Sequence, residues 1–567
     1  MTHSAYAQAV AAFRANRIGV AQEWLGRAIS QDPRDPGARH LAGVVALTSG
    51  RLREAEARFR EALRLFPEPA GESAAASWVG LGRVQLPQGR LEQALSCFDK
   101  AVRLAPGFAP AHAGRAAVLC DLGDYRTSER EARRALESGD EARTRLVLAR
   151  ALMFQSRMEE AEPILETLAG HPDVQFAARF HLAGSKAARG RAGEAEEEFR
   201  SLLREQPGYP GYLELSRTKR FRDRRDADLE HMHAVFEGLP AEPSHLSDVL
   251  RTDLCFAMAK AYDDLDDAGG AWPLLERANR LRAAAEPFDF ASFERRVERF
   301  IAAGRFLAGP ARPDESAAGA APLVIAALPR SGSSLLEQML AGHAAVSAGG
   351  EFSPFIPLLD DLLDRFDGEL VPSPALASAR RNVAGVLGEY DAGVRHVTDK
   401  SPVAFLYAGL LGAVAPQARF IHLQRHPLDT ALSQYSQSFA RGMGWTYGLE
   451  SIARYHATYE RIMSVWRECL GERLLEVSYE ALVTRPEHEI ARILRFCGLE
   501  YEPACLAFPE SRRAVWTASG IQVRERLGPQ RIGRWRRYAT QLRGLSAGMR
   551  QSILRYEERL ADSDLPY

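Results

Sequence analysis

The chain has 567 residues, 46% apolar and 26% charged, which is ordinary for a globular protein and excludes disordered, collagen-like and disulfide-scaffold architectures. A formal net charge of −1 excludes a global field directed at nucleic acid or at an anionic membrane. The six cysteines, Cys97, Cys120, Cys255, Cys469, Cys497 and Cys505, form no Cys-x-x-Cys pair and read as reduced structural residues rather than metal ligands.

At the N-terminus, Met1 to Gln8 shows no basic segment ahead of an apolar one. No apolar run approaches the roughly 20 residues of a membrane-spanning helix. The expectation is a cytoplasmic protein without a membrane span. Only five of the 73 basic residues are lysines: Lys100, Lys186, Lys219, Lys260 and Lys400. That arginine excess, with much alanine and glycine, matches a GC-rich bacterial genome.

A repeat occupies the first 210 residues. Ala21, Ala55, Ala94, Ser128, Ala161 and Ala195 are separated by 34, 39, 34, 33 and 34 residues. Related segments end at Pro33, Pro67 and Pro106, where a proline stops a helix. Turns such as Gly50-Arg51, Gly89-Arg90, Gly123-Asp124 and Gly190-Arg191 stand before most of the small residues. Two amphipathic helices per 34 residues resemble the tetratricopeptide repeat. The resemblance implies an all-α solenoid over residues 1–210 whose concave face takes a peptide or protein partner.

Residues 211–308 also read as helical but lose the period. Phe256 to Tyr262, then Asp267 to Ala271, look like one degenerate unit, an adaptor between the solenoid and the C-terminal region. Residues 309–321 are rich in Pro, Gly and Ala and read as a linker.

The region 322–567 opens on a different pattern. Pro322 to Leu328 is an apolar run suited to a strand buried on both faces of a parallel sheet. It runs into Pro329-Arg330-Ser331-Gly332-Ser333-Ser334 and then a helical segment. A strand, a small polar loop and a helix N-terminus form an anion site, with Arg330 adding charge and Ser333 and Ser334 adding hydroxyls. The loop lacks the second glycine and the lysine of a Walker A motif. A second apolar strand, Ala418 to Leu423, leads to Gln424-Arg425-His426-Pro427 and a helix carrying Ser433. Gly350-Glu351 and Thr398-Asp399-Lys400-Ser401-Pro402 lie between the two strands. Further along stand Val477 to Val483, Ser519 to Val523 and Gly533-Arg534-Trp535.

On these motifs, residues 322–540 resemble a sulfotransferase domain of the tyrosylprotein sulfotransferase branch. The resemblance implies a multidomain chain with an α/β, P-loop-like C-terminal domain built on a parallel sheet. It also implies transfer of a sulfuryl group from 3′-phosphoadenosine 5′-phosphosulfate (PAPS) to a hydroxyl. Arg330, Ser331, Gly332, Ser333 and Ser334 would hold the 5′ side of the donor, and Arg425 and Ser433 its 3′-phosphate. Tyr479 would lie near the nucleotide, with Ser519 and Arg534 in a C-terminal lid. Arg534 departs from the family, in which that position is often lysine.

Catalysis would fall to Glu351 as general base and Lys400 as the group that neutralises or protonates the leaving phosphate, with Arg330 adding charge. No metal is implied. Lys400 is the one lysine after Lys260 in a chain that otherwise uses arginine, and an ammonium gives up a proton far more readily than a guanidinium. His343, His422 and His426 read as structural. No acceptor motif is legible; a peptidyl tyrosine is the first expectation, a glycan or lipid-linked hydroxyl the next. Two other readings stand beside this one: a P-loop nucleotide phosphotransferase, or a repeat scaffold with an inactive sulfotransferase-like domain. Arg534-Trp535-Arg536-Arg537-Tyr538 reads as part of a lid over an anion and not as a nucleic-acid patch.

Overall fold

A computed structural model describes residues 4–66, 71–139, 141–155, 157–240, 242, 245–307, 320–351, 355–366, 373–388, 390, 393–439, 441–508 and 528–561. Its residues fall into two compact units, Met1–Ser185 and Lys186–Tyr567.

The first unit is helical. Its helices run Ala5–Arg14 and Ile18–Gln31, Pro36–Thr48 and Leu52–Leu65, Gly71–Gln85 and Leu91–Leu104, Ala109–Leu122 and Tyr125–Leu136, then Ala142–Phe154 and Met158–Leu168. Every period marker in this unit lies on the second helix of a pair. Ala21, Ala55, Ala94, Ser128 and Ala161 are all fully buried, because a larger side chain would force the crossing helices apart. One turn later, Phe59 and Phe98 fill the space left by glycines on neighbouring helices. A Cβ at Gly80 would stand 2.5 Å from the Phe59 ring, and one at Gly114 would stand 2.3 Å from the Phe98 ring. Each such buried ring is worth about 1.5–3 kcal/mol. The turns within pairs use left-handed backbone at Asn16, Gly50, Gly89 and Gly123, which explains the glycines that mark the period.

The helix Gln175–Ala188 runs across the division between the units, and Ala192–Glu205 follows in the second unit, where it buries the sixth marker, Ala195. Helices Tyr212–Thr218, Ala227–Glu237, His245–Asp264, Ala268–Ala285 and Phe290–Leu307 come next. Asp253 accepts from the amides of Gly211 (2.8 Å) and Tyr212 (2.7 Å), capping the first of these, and its burial pushes its carboxyl up to about 6.

Five strands then form one sheet: β1 (Ala321–Ala326), β2 (Val346–Ala348), β3 (His396–Asp399), β4 (Arg419–Gln424) and β5 (Leu474–Ser478). The order is β2-β3-β1-β4-β5 and every pairing is parallel. Both faces of β1 are covered, hence its unbroken apolar sequence. Leu323 and Ile325 join Leu336, Met339, Ile490 and Ile493 of the helices Ser333–Leu340 and Pro486–Phe496. Towards the other face lie the wholly buried helix Ala404–Val414 and the helix Leu449–Leu470, where the Trp466 indole donates to the Phe405 carbonyl (2.6 Å).

The adaptor helices pack into this same unit. Helix Phe290–Leu307 lies on Ala404–Val414 and Leu449–Leu470. Gly304 and Gly409 both make room for the Trp466 ring, which a Cβ would approach within 2.4 and 2.2 Å. Trp272 stacks on Tyr435 (5.2 Å between centroids), and the Asn279 amide donates to the Tyr435 carbonyl (2.8 Å). Of the expected linker 309–321, residues 309–319 lie outside the described residues, and Ala321 already belongs to β1. All six cysteines are free. Among the described residues no helix is long and apolar enough to cross a membrane.

Candidate active site

In a parallel sheet all carboxyl ends share one edge, and here each strand delivers one expected site residue to that edge. Arg330 comes after β1, Glu351 after β2, Lys400 after β3, Arg425 after β4 and Tyr479 after β5. The chain passes from β3 to β4 across β1, so the topological switch lies beside the Arg330 loop.

The loop itself is tightly constrained. Arg330 has φ 74° and Gly332 has φ 100°, both left-handed. Such a conformation costs a non-glycine residue about 1–3 kcal/mol and persists only where the surroundings impose it. Here they do. The Arg330 carbonyl accepts from Arg425 Nη1 (3.3 Å), and its own Nε donates to the Ser433 hydroxyl (3.0 Å). The Pro329 carbonyl accepts from Gln434 (3.0 Å). Gly332 is required twice over, because a Cβ there would also meet the Tyr479 ring at 2.5 Å. Ser333 opens the helix Ser333–Leu340; Ser331 and Ser334 are buried beside it.

Arg425 links the loop to the rest of the edge. Its Nη2 donates to the Arg531 carbonyl (2.6 Å), its guanidinium lies 4.6 Å from the Tyr479 ring centroid, and Asp429 stands 3.8 Å away. Its Nε is buried with no hydrogen-bond partner among the described residues. The site is strongly positive. Burial, together with Arg531, Arg217, Arg425 and Arg534, lowers the Arg330 guanidinium to about 9. A multiply charged anion would relieve that field and satisfy the orphaned donor. These residues therefore fit a phosphate- or sulfate-bearing anion.

Glu351 and Lys400 lie side by side. Lys400 Nζ is 3.2 Å from Glu351 Oε1. The Lys400 side chain is 3% exposed and the Glu351 side chain 48%. Burial alone would lower the Lys400 ammonium, but the charges of Glu351 and Glu337 outweigh it and the net shift is upward. A half-exposed carboxylate beside a buried, protonated amine can serve as base and acid on opposite sides of a transferring group.

Ser519 lies outside the described residues. The Arg534 guanidinium, whose charge also acts on Arg330, pairs with Asp263 of the helix His245–Asp264, which also binds Arg537 (3.2 Å) and the Tyr538 hydroxyl (2.8 Å). The segment stays near the site because Asp429 accepts from the amides of Gly533 (2.7 Å) and Trp535 (2.9 Å).

The three histidines are buried in fixed roles. His422 binds Glu476 (3.2 Å) and the Tyr459 hydroxyl (2.7 Å), and His343 binds the Glu500 carbonyl (3.1 Å). His426 stacks on Trp535, and burial with Arg536 and Arg425 nearby pushes it down to about 3. Sequence reasoning missed Glu337, Asp429, Arg531 and Arg217. Only Asp429 carried a signal, standing one helical turn after Arg425. Among the described residues no group of three or more His, Cys, Asp or Glu could hold a metal ion.

A sequence model of the sulfotransferase family matches residues 322–503, the segment that contains all five strands. The chain carries a sulfotransferase domain. A tetratricopeptide-repeat model matches residues 6–68, 40–107 and 146–210, so the N-terminal region carries tetratricopeptide repeats.

An uncharacterised protein of Aquifex aeolicus is 29% identical over 314 residues, 51% of this chain and 40% of that protein. Protein-tyrosine sulfotransferase 1 of Danio rerio is 25% identical over 216 residues, 36% of this chain and 59% of that enzyme. The chain thus spans about half the length of these two relatives. Among solved structures, the sulfotransferase domain from the Synechococcus PCC 7002 olefin synthase is similar at 24% identity and a TM-score of 0.30, over 40% of this chain and 90% of that one.

Proposed function

We infer that the protein is a PAPS-dependent sulfotransferase acting on a hydroxyl acceptor without a metal. The observation that carries this reading is the convergence of Arg330, Glu351, Lys400, Arg425 and Tyr479 on one sheet edge. The orphaned Arg425 Nε stands among several arginines there. Sulfuryl transfer, like phosphoryl transfer, is an in-line displacement with a loose, charge-spreading transition state, so placement and charge neutralisation do most of the catalysis. In this reading the phosphate loop and Arg330 hold the 5′ phosphosulfate, and Arg425 and Ser433 hold the 3′-phosphate. Glu351 takes the acceptor proton and Lys400 neutralises or protonates the departing phosphate oxygen. Ser519 and Arg534 belong to the lid, with Arg534 anchoring it through Asp263.

The acceptor in this reading is a hydroxyl on an extended chain, peptidyl tyrosine first and a glycan or lipid-linked hydroxyl next. The repeat array would present it by raising its effective concentration at the site.

The test is calorimetric titration of the full chain with 3′-phosphoadenosine 5′-phosphate, adenosine 5′-phosphosulfate and ATP. Losing charge-assisted contacts to the 3′-phosphate should weaken binding by about 1.5–3 kcal/mol, roughly 10- to 150-fold. Equal affinity for ligands with and without that phosphate would reject the assignment.

A further inference from the structure

We propose that Glu337 is a positioning residue, one buried carboxylate that fixes both the Lys400 ammonium and the Gly350–Glu351 turn. The inference rests on the transfer reaction proposed above and adds a residue to it.

Glu337 lies in the helix that begins at the phosphate loop, Ser333–Leu340, and is 3% exposed. Oε1 accepts from the Thr398 hydroxyl (2.7 Å) and from the Gly350 amide (3.0 Å). Oε2 is 3.8 Å from Lys400 Nζ. The surrounding backbone is stitched in the same sense. The Gly349 amide donates to Thr398 (3.1 Å), and the Lys400 amide donates to the Gly350 carbonyl (3.1 Å). One side chain therefore ties the phosphate-loop helix to the turn that carries Glu351 and to the strand end that carries Lys400.

The charges around Lys400 explain why this position needs a carboxylate. Lys400 faces Glu351 at 3.2 Å and Glu337 at 3.8 Å, with Asp399 next in sequence. Asp399 is engaged elsewhere, accepting from the Ser401 amide (3.0 Å) and the Tyr407 hydroxyl (2.7 Å). Asp399 adds charge nearby but makes no ion pair with Lys400, so with Glu351 as its sole ion-pair partner the buried ammonium would hold the base and could leave it only at a large cost in charge compensation. Glu337 is the fixed counterion. Lys400 can then turn from Glu351 to the leaving oxygen while its charge stays paired, which frees Glu351 for the acceptor proton.

A purely structural glutamate would behave differently from a positioning one, and Glu337→Gln separates the two. The amide keeps the volume and, through its carbonyl oxygen, both acceptor bonds to Thr398 and Gly350. It removes only the charge beside Lys400. The experiment is lysine-selective ¹⁵N labelling of the full chain with Nζ detection; the protein has five lysines, and Lys400→Arg assigns the Lys400 signal. It is paired with the pH profile of kcat for transfer between 4-nitrophenyl sulfate and 3′-phosphoadenosine 5′-phosphate.

In Glu337→Gln the Lys400 titration should fall by about one unit or more. The alkaline limb of kcat should move with it and kcat should drop about tenfold, with nucleotide affinity within about twofold of wild type. Glu337→Asp should restore the titration. An unmoved Lys400 titration in Glu337→Gln overturns the proposal. The lysine signal requires no turnover, so a wild-type protein that transfers nothing would reject the sulfotransferase reading alone.

Discussion

A fragment beginning at Ala311 should not fold, whereas one beginning at Lys186 should. Cutting at Ala311 strips helices Ala268–Ala285 and Phe290–Leu307, which bury Trp272 (8% exposed), Val297 (0%), Phe300 (1%) and Ile301 (7%). At about 1.5–3 kcal/mol for each buried side chain, the loss is roughly 6–12 kcal/mol. That rivals the whole stability of a typical domain, about 5–15 kcal/mol. The cut also removes Asp263, leaving Arg534 without its carboxylate. Both fragments should be monitored by far-UV circular dichroism and urea unfolding. The fragment 186–567 should give a cooperative transition and 311–567 none. A cooperative transition for 311–567 within about 2 kcal/mol of the longer fragment would refute the claim that the adaptor helices complete the catalytic fold.

Gly332→Ala should abolish nucleotide binding while leaving the repeats folded, because left-handed backbone at φ 100° adds about 1–2 kcal/mol to a 2.5 Å contact with the Tyr479 ring; wild-type calorimetric affinity would contradict this. Glu351→Gln should cut transfer about 10²–10⁴-fold with nucleotide binding intact, measured by steady-state kinetics beside calorimetry. Lys400→Arg should also slow transfer, since a guanidinium keeps the charge and withholds the proton, and wild-type turnover would remove the acid role. Asp228 is buried, which alone would raise its carboxyl, but hydrogen bonds from Arg200 and Lys219 outweigh this and bring it down to about 2. A carboxylate with a lowered folded-state value stabilises above its unfolded value of about 3.9 and loses that contribution as pH falls towards 2. Asp228→Asn should therefore cost about 1–2 kcal/mol at pH 7 and about half that at pH 3, read from urea midpoints at the two pH values.

The repeats were legible because helix crossings demand small residues at a fixed interval, and Ala21, Ala55 and Ala94 have no alternative partners to blur the pattern. The phosphate loop and Arg425 were legible for a related reason: each comes after an apolar run suited to a buried strand, whereas Lys400 follows the polar segment Arg395-His396-Val397-Thr398-Asp399 and was reached through the family resemblance and its rarity as a lysine. Glu337 was hidden because a polar residue on an amphipathic helix looks like a solvated position, and burial against Thr398 appears only in three dimensions. The fusion of the adaptor to the catalytic unit was hidden too. An amphipathic helix such as Phe290–Leu307 reads the same whether it covers another repeat or the helices beside a sheet. The Asp263–Arg534 pair, 271 residues apart, left no local trace.

The distribution of the site over five strand ends bears on how the protein matures. No contiguous segment holds more than a fraction of the proposed catalytic groups, and the sheet order places β1 beside β3 and β4 and away from its successor in sequence. Pairing β1 with β4 joins residues about a hundred positions apart, and such long-range closures are the slow steps of folding. On the proposed function, turnover should stay at zero until β5 docks and brings Tyr479 to Arg425. A newly made chain would then finish its repeats well before it had an active site, and activity would be expected to return last on refolding.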